Sequence, residues 1–289
     1  MREAFLFAPG MAGESFRGKV CGEMAGWGYN PTAAVIHGRN VMDEVAAVVE
    51  ETTGLSQMER VVNVFVAPAK TFRDILRSSS WWLPFLLTVV ATVGVTVAIQ
   101  KKVGWERVVE TQVQMSPSMQ SQLASLTPDQ QAQRMHGIVL GYQYSAYASP
   151  LLVLAISALA ALVLWASFNF GLGARTTYGQ IFCLWMYCSL PRLLASLITA
   201  VMLCFGGSPE SFNLKEPVGT NLAYYLPDAS PWLKSLLSFG DVIGIWVLVL
   251  LVIGGAIVAK KSIGQAAAVV VGWWLLIALV SVAATAAFS

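Results

Sequence analysis

Charged residues, histidine and cysteine are all scarce in this 289-residue chain. Only 12% of the residues carry a charge and the formal net charge is +2, whereas a nucleic-acid-binding protein normally presents a concentrated basic face. The two histidines and four cysteines are dispersed, so no cluster supplies the three or four ligands that a zinc or iron site needs. We therefore expect no nucleic-acid partner, no bound metal and no cofactor.

Catalytic motifs are also missing. The sequence contains no H-E-x-x-H, no G-x-S-x-G and no G-x-x-x-x-G-K-[ST], the patterns that position a zinc ion, a nucleophilic serine and a nucleotide phosphate. Cys183 and Cys188 lie within an apolar stretch and are interpreted as apolar filler rather than as a redox pair. We expect a protein that is not an enzyme.

Long apolar stretches are what the chain does contain. Apolar residues make up 56% of it, above the roughly 45–50% usual in soluble domains. A helix that crosses a hydrocarbon core about 30 Å thick needs about 20 such residues. The candidate stretches are 81–99, 150–170, 178–205, 239–259 and 266–288. The predicted fold class is all-α: a polytopic membrane helix bundle with five transmembrane spans and short amphipathic N-terminal helices.

The third stretch, 178–205, is interrupted by Pro191 and Arg192. The part before Pro191 has thirteen residues and would reach only about 20 Å as a helix, which is too short to cross alone. One long kinked helix is the favoured interpretation. A re-entrant hairpin, with both ends on one side of the membrane, is the alternative.

The residues ahead of the first span fall into two parts. We expect 1–41 to be disordered or a non-native extension, with the native start at Met42 or Met58. We expect 42–79 to form cytoplasmic amphipathic helices, the first of them short and capped by Asn40.

A basic amphipathic helix is predicted from Met58 to Arg77, because apolar residues recur there at steps of three and four. We expect its apolar face to rest on the membrane surface, where Lys70, Arg73 and Arg77 would contact anionic headgroups. The alternative is a soluble helix pair that packs on itself, since amphipathicity alone does not identify a partner.

Three helix starts are marked by capping residues. Ser56 and Glu59 have the spacing of a capping box, in which hydroxyl and carboxylate satisfy each other's free backbone amides. Ser116-Pro117 and Thr127-Pro128 each place an N-cap hydroxyl before a proline at the first helical position. Between the first two spans we therefore expect two short extramembrane helices, the second leading to a bend at Pro150.

The distribution of Lys and Arg beside the spans favours a cytoplasmic N-terminus. With that orientation, the cytoplasmic segments 60–80, 171–177 and 260–264 hold seven Lys or Arg in 33 residues, and the opposite segments 101–148 and 207–236 hold six in 78. Two lysines directly after the first span count the other way. We expect an integral protein of the bacterial cytoplasmic membrane, with its C-terminus on the opposite side.

Asn169, Gln180 and Arg192 are candidates for a polar site inside the membrane, between the second and third spans. Such a site would suit a small transporter or permease. The alternative is structural: Asn169 and Gln180 would link helices by hydrogen bonds, and Arg192 would bind carbonyls freed by Pro191. Asp241, near the end of the fourth span, is a candidate partner for Arg192.

One block of the sequence resembles a known family. Residues 59–75, ERVVNVFVAPAKTFRDI, followed by Trp81-Trp82-Leu83-Pro84, are similar to the opening of bacterial members of the Yip1 family, as is FNFGLG at 168–173 before an aromatic span. The resemblance covers about 57–289 and implies a five-span membrane protein with a cytoplasmic N-terminus. Eukaryotic relatives act in vesicle traffic with Rab-type GTPases, but their acidic N-terminal signatures are missing here, so that role is not inferred.

The leading functional hypothesis is a non-enzymatic membrane protein that acts in membrane organisation or in protein and lipid interaction. Its membrane domain would be 80–289, and its contact surface would be the basic helix from Met58 to Arg77. The expected partners are the lipid bilayer and other membrane proteins or a second copy of the chain. The alternative is the small transporter or permease.

Overall fold

The computed structural model describes residues 54–205, 214, 218–226 and 229–287, and every regular element in these ranges is helical. The helices are α1 (Gln57–Val66), α2 (Pro68–Ile75), α3 (Trp82–Lys102), α4 (Trp105–Gln114), α5 (Pro117–Ala124), α6 (Pro128–Ala166), α7 (Tyr178–Cys188), α8 (Arg192–Phe205), α9 (Pro231–Ser238), α10 (Val242–Ala259) and α11 (Ile263–Ala287). The predicted all-α class is confirmed. The expectations for 1–41, the two candidate starts and the helix after Asn40 concern residues outside the described ranges, apart from Met58, which lies in the first turn of α1.

Within the described ranges, five helical segments are long and apolar enough to cross a membrane. They are Trp82–Lys102, Pro128–Gly171, Tyr178–Phe205, Val242–Ala259 and Ile263–Ala287. The five predicted spans are therefore confirmed. Four of them differ from their predicted bounds by at most three residues, whereas the helix of the second begins at Pro128, 22 residues before the predicted start. We call the end of the bundle where α3 begins the near end, and the end where α3 finishes the far end.

The connection between the first two spans differs from the prediction. The predicted starts at Ser116 and Thr127 are N-caps, but the helix after Thr127 runs unbroken for 39 residues and passes through Pro150. Proline cannot supply the amide hydrogen that the Ala146 carbonyl would normally accept. The hydroxyl of Ser149 donates to that carbonyl oxygen instead, at 2.6 Å, and this bond satisfies the carbonyl that Pro150 leaves free.

The third span is one kinked helical segment, and the alternative of a re-entrant loop with both ends on one side is wrong. Between α7 and α8 the backbone makes tight turns, with Arg192 N–H donating to Ser189 O at 3.1 Å. Phe182 contacts the Trp81 ring at the near end, with ring centroids 5.0 Å apart. Leu203 belongs to a buried cluster with Ile99 at the far end. The segment thus runs alongside α3 from one end to the other.

Helix α7 lies at the centre of the bundle and contacts α6 and α10. Seven of its eleven residues are buried, among them Cys183 and Cys188, which are free thiols packed among aliphatic side chains. By contrast, much of α11 is exposed, including Leu279 and Val280, as expected for a helix whose outer face meets lipid.

Candidate functional site

The predicted basic helix is two helices that fold back on each other. The chain leaves helical geometry at Ala67, where φ is −148° and ψ is 61°. Pro68 explains the break, because proline disfavours helical geometry in the preceding residue and cannot donate a backbone hydrogen bond. We call α1, Ala67 and α2 together the hairpin.

The inner face of the hairpin is packed into the bundle. Val64, Phe72 and Ile75 are completely buried, and they share one apolar cluster with residues of α7 and α10. Phe65 places its ring edge-on to Trp246 of α10, with centroids 5.6 Å apart. The expectation that this apolar face rests on the membrane surface is therefore wrong for Phe72 and Ile75, because neighbouring helices cover it.

The outer face of α1 is also apolar. Met58, Val62 and Val66 recur every four residues and are 61%, 54% and 73% exposed. The sequence pattern placed Met58 and Val62 on the same face as Phe72, whereas the break at Ala67 turns the two helices relative to each other. As a result α1 has apolar side chains facing outward and a charged one facing inward.

That inward charge belongs to Arg60, which is 1% exposed. Its Nε lies 2.6 Å from Asp74 Oδ2, and its Nη1 donates to Ser78 O at 2.8 Å. In addition, the Thr71 hydroxyl donates to the backbone oxygen of Arg60 at 2.9 Å. A buried ion pair is stable only when its remaining donors and acceptors are satisfied. Here the pair is embedded in a hydrogen-bond network that joins α1 to α2.

Two polar contacts tie this network to the central helix. Tyr187 of α7 donates its hydroxyl hydrogen to Gln57 Oε1 at 2.8 Å, and the Cys183 thiol lies 3.5 Å from Ser80 O. These contacts hold the hairpin against the third span in addition to the apolar packing.

Lys70, Arg73 and Arg77 all lie on the exposed side of the hairpin. Their spacing of three and four residues places them on one side of α2 and of the turn that follows it. Arg77 also approaches Asp74, with 3.5 Å between Nε and Oδ1. The opposite side of α2 is buried through Thr71, Phe72 and Ile75. We call Lys70, Arg73 and Arg77 the basic face.

The start of α1 carries a complete capping box. Ser56 N–H donates to Glu59 Oε2 at 2.7 Å, and Glu59 N–H donates to Ser56 Oγ at 3.3 Å. The hydrogen bonds from the Ser56 backbone and then from its hydroxyl lower the pKa of Glu59 below its ordinary value of 4.5.

The structure does not bring the three predicted polar residues together. Asn169 is tied to the loop after α6: its Nδ2 donates to Trp165 O at 3.0 Å, and its Oδ1 accepts from Thr176 N–H at 2.9 Å. Gln180 closes the capping box of α7 by accepting from Thr177 N–H at 3.0 Å.

Arg192 is exposed at the start of α8, twelve residues and roughly 18 Å along the span from Gln180. It forms no ion pair with Asp241, which caps α10 by accepting from Gly244 N–H at 2.6 Å. A ligand site formed by Asn169, Gln180 and Arg192 stays a prediction.

A family model, the Yip1 domain, matches residues 62–285. The match covers well over half of the chain. The chain belongs to the Yip1 family. No curated protein matches it, and neither does any solved structure.

The matched Yip1 domain includes most of the hairpin and all five candidate spans. Sequence reasoning missed the pairing of Arg60 with Asp74; Asp74 lies within the matched domain and Arg60 lies two residues before it. A signal was present, because the two opposite charges are equally distant from Ala67 along the chain and Pro68 marks a break there. A helix that folds back at this break brings residues at equal distances from it together.

Proposed function

We propose that this Yip1-family protein is a non-enzymatic membrane protein whose basic face binds anionic lipid headgroups and so organises the surrounding membrane. The observation that carries the proposal is the arrangement of Lys70, Arg73 and Arg77 on the side of α2 opposite its buried side. The absence of catalytic motifs in the sequence supports the non-enzymatic part.

The basic face differs from a flexible basic segment because its helix, α2, is held in place by packing. The ion pair of Arg60 with Asp74 and the buried ring of Phe72 fix α2, so the cations lose little further freedom on binding. The long side chains of Lys and Arg can also extend to headgroup level when their helix lies deeper. Each cation near an anionic surface contributes about 1 kcal/mol of attraction.

The distribution of cations supports placing the near end, and with it the hairpin, on the cytoplasmic side of a bacterial cytoplasmic membrane. The near-end loops are denser in Lys and Arg than the far-end segments. A negatively charged surface on that side would face the basic face directly.

The test compares lipids retained by the full chain from nanodiscs that contain equal amounts of phosphatidylglycerol and phosphatidylcholine, measured by native mass spectrometry. We expect the wild-type protein to retain phosphatidylglycerol preferentially. The triple variant Lys70→Gln, Arg73→Gln, Arg77→Gln should reduce that preference by about tenfold or more, given about 1 kcal/mol per cation.

The matched control removes three exposed cations from the far end: Lys101→Gln, Lys102→Gln, Arg107→Gln. Its preference should stay within about twofold of the wild type, because these residues lie outside the basic face. The proposal is rejected if the near-end triple keeps the wild-type preference, or if both triples lose it equally.

A further inference from the structure

A cavity of about 410 Å³ lies in the far half of the bundle, between α3, α4, α6 and α8. Along α3 it extends from Thr92 to Ile99, a depth of about 10 Å at 1.5 Å per residue. A smaller cavity of about 330 Å³ adjoins it and shares Tyr142 and Ser145. The larger volume is within the range of small-molecule sites, about 300–1,000 Å³.

The lining of the larger cavity contains no charged residue. Val95 and Ile99 provide an apolar wall, most of the other lining residues carry a hydroxyl group, and Trp105 adds its indole. Phosphate and carboxylate groups normally bind to cations or to converging amides, so this lining suits an uncharged group.

Several hydrogen-bond donors of the lining are unused. Trp105 is 4% exposed, and its indole N–H is buried without a partner in the described part of the chain. The hydroxyls of Thr96, Tyr142 and Ser145 form no hydrogen bond with a described residue but, unlike the indole N–H, are not buried unpaired donors, and Ser145 is exposed; the Ser149 hydroxyl bonds within its own helix. An unpaired buried donor costs about 1–3 kcal/mol, so an acceptor in the cavity would recover that energy.

We propose that this cavity binds the ester region of a membrane lipid, with part of an acyl chain against Val95 and Ile99. An ester carbonyl accepts hydrogen bonds, carries no charge and is attached to an apolar chain, and these three properties match the donors, the missing charge and the wall. The proposal does not depend on the basic face, which lies at the other end of the protein and is proposed to bind anionic headgroups.

The test uses two phosphatidylcholines with the same headgroup and chain length, one with ester-linked and one with ether-linked chains. The full chain is released from nanodiscs containing both in equal amounts, and retained lipid is measured by native mass spectrometry. We expect the wild-type protein to retain the ester lipid about three- to tenfold better, the effect of one or two neutral hydrogen bonds.

Donor removal gives the first variant. Thr96→Val with Tyr142→Phe keeps the shape of both side chains and should lower the ester preference by at least about twofold, since the indole N–H of Trp105 is then the main donor left. Its control, Thr88→Val with Tyr144→Phe, changes the same residue types on the same two helices away from the cavity, and should retain it.

Cavity filling gives the second variant. Ala146→Phe should reduce retention of both lipids at least about threefold by occupying the cavity, whereas Ala148→Phe, on the exposed side of α6, should not. If Ala146→Phe fails to elute as folded protein on size-exclusion chromatography, the donor-removal pair decides. Equal retention of ester and ether lipids by the wild type, or equal loss of preference in the donor variant and its control, overturns the proposal.

Discussion

Arg60 and Asp74 form an ion pair whose side chains are only 2% and 9% exposed, with 2.6 Å between Nε and Oδ2. The pair joins the two helices of the hairpin, and the Ser78 carbonyl accepts a further hydrogen bond from the same guanidinium. Because the basic face lies on α2, the position of its cations depends on this internal contact.

Removing one partner of the pair should strongly destabilise the protein. We expect Arg60→Met to lower the free energy of unfolding by about 3–5 kcal/mol, since the Asp74 carboxylate would remain buried without its main partner. Equilibrium unfolding in mixed micelles with increasing sodium dodecyl sulfate measures the change. Arg73→Met, an exposed position, should stay within about 0.5 kcal/mol of the wild type.

The double variant Arg60→Met, Asp74→Leu gives a second check on the pair. It should be more stable than Arg60→Met alone, because no uncompensated charge is left in the hairpin. A double variant whose loss equals the two single losses added together would show that the two residues act independently.

The spans and the helix caps could be predicted from the sequence because both depend on local properties. Uncharged apolar length alone identifies a membrane-crossing helix, and Thr127 before Pro128 identifies a helix start whatever lies around it. The kink at Pro191 is local in the same sense. Apart from the start of the second span, these features therefore agree with the structure to within a few residues.

The hairpin could not be read from the sequence in the same way, because its form depends on contacts far apart in the chain. Val64 is buried only because α7 and α10 cover it, and Arg60 is buried only because Asp74 folds back to it. Helix α6 continues through Pro150, and the carbonyl that Pro150 leaves free accepts from the hydroxyl of Ser149. A periodic pattern identifies an apolar face but does not identify what covers it.

Among the described glycines of α10, Gly254 lies closest to the hairpin. A Cβ there would collide with Leu184 and lie 3.1 Å from Phe72 Cδ2. We therefore expect Gly254→Ala to lower the free energy of unfolding by about 1–3 kcal/mol, although alanine favours a helix.

Gly272 is the matched control for this prediction. It lies within α11, and a Cβ there would meet nothing within 4 Å, so Gly272→Ala should be neutral or stabilising by up to about 1 kcal/mol. Unfolding of both variants in sodium dodecyl sulfate measures the difference, and a neutral Gly254→Ala would contradict the close packing of Leu184 and Phe72 against this glycine.

Asn169 should prove important for stability, because its amide forms hydrogen bonds with Trp165 of α6 and with Thr176 on the loop before α7. Besides Trp165 O and Thr176 N–H, its Nδ2 donates to Thr176 Oγ1 at 3.0 Å. We expect Asn169→Ala to cost about 1–3 kcal/mol through the unpaired backbone groups. Thermal unfolding monitored by circular dichroism measures this loss of stability, and an unchanged melting temperature would favour a ligand role for Asn169 over a structural one.

The capping box of α1 predicts a specific dependence of stability on pH. The pKa of Glu59 is lowered in the folded protein by its hydrogen bonds to Ser56, so its stabilising effect is fully present above the unfolded value near 4.5 and declines as pH falls through the lower folded value. The difference in melting temperature between the wild type and Glu59→Ala should therefore be constant near neutral pH and shrink in acid.

The corresponding box of α6 uses neutral Gln130, whose Oε1 accepts from Thr127 N–H at 3.1 Å, so the effect of Gln130→Ala should not change over the same pH range. Equal pH dependence of the two differences would show that the Glu59 carboxylate is not the group responsible.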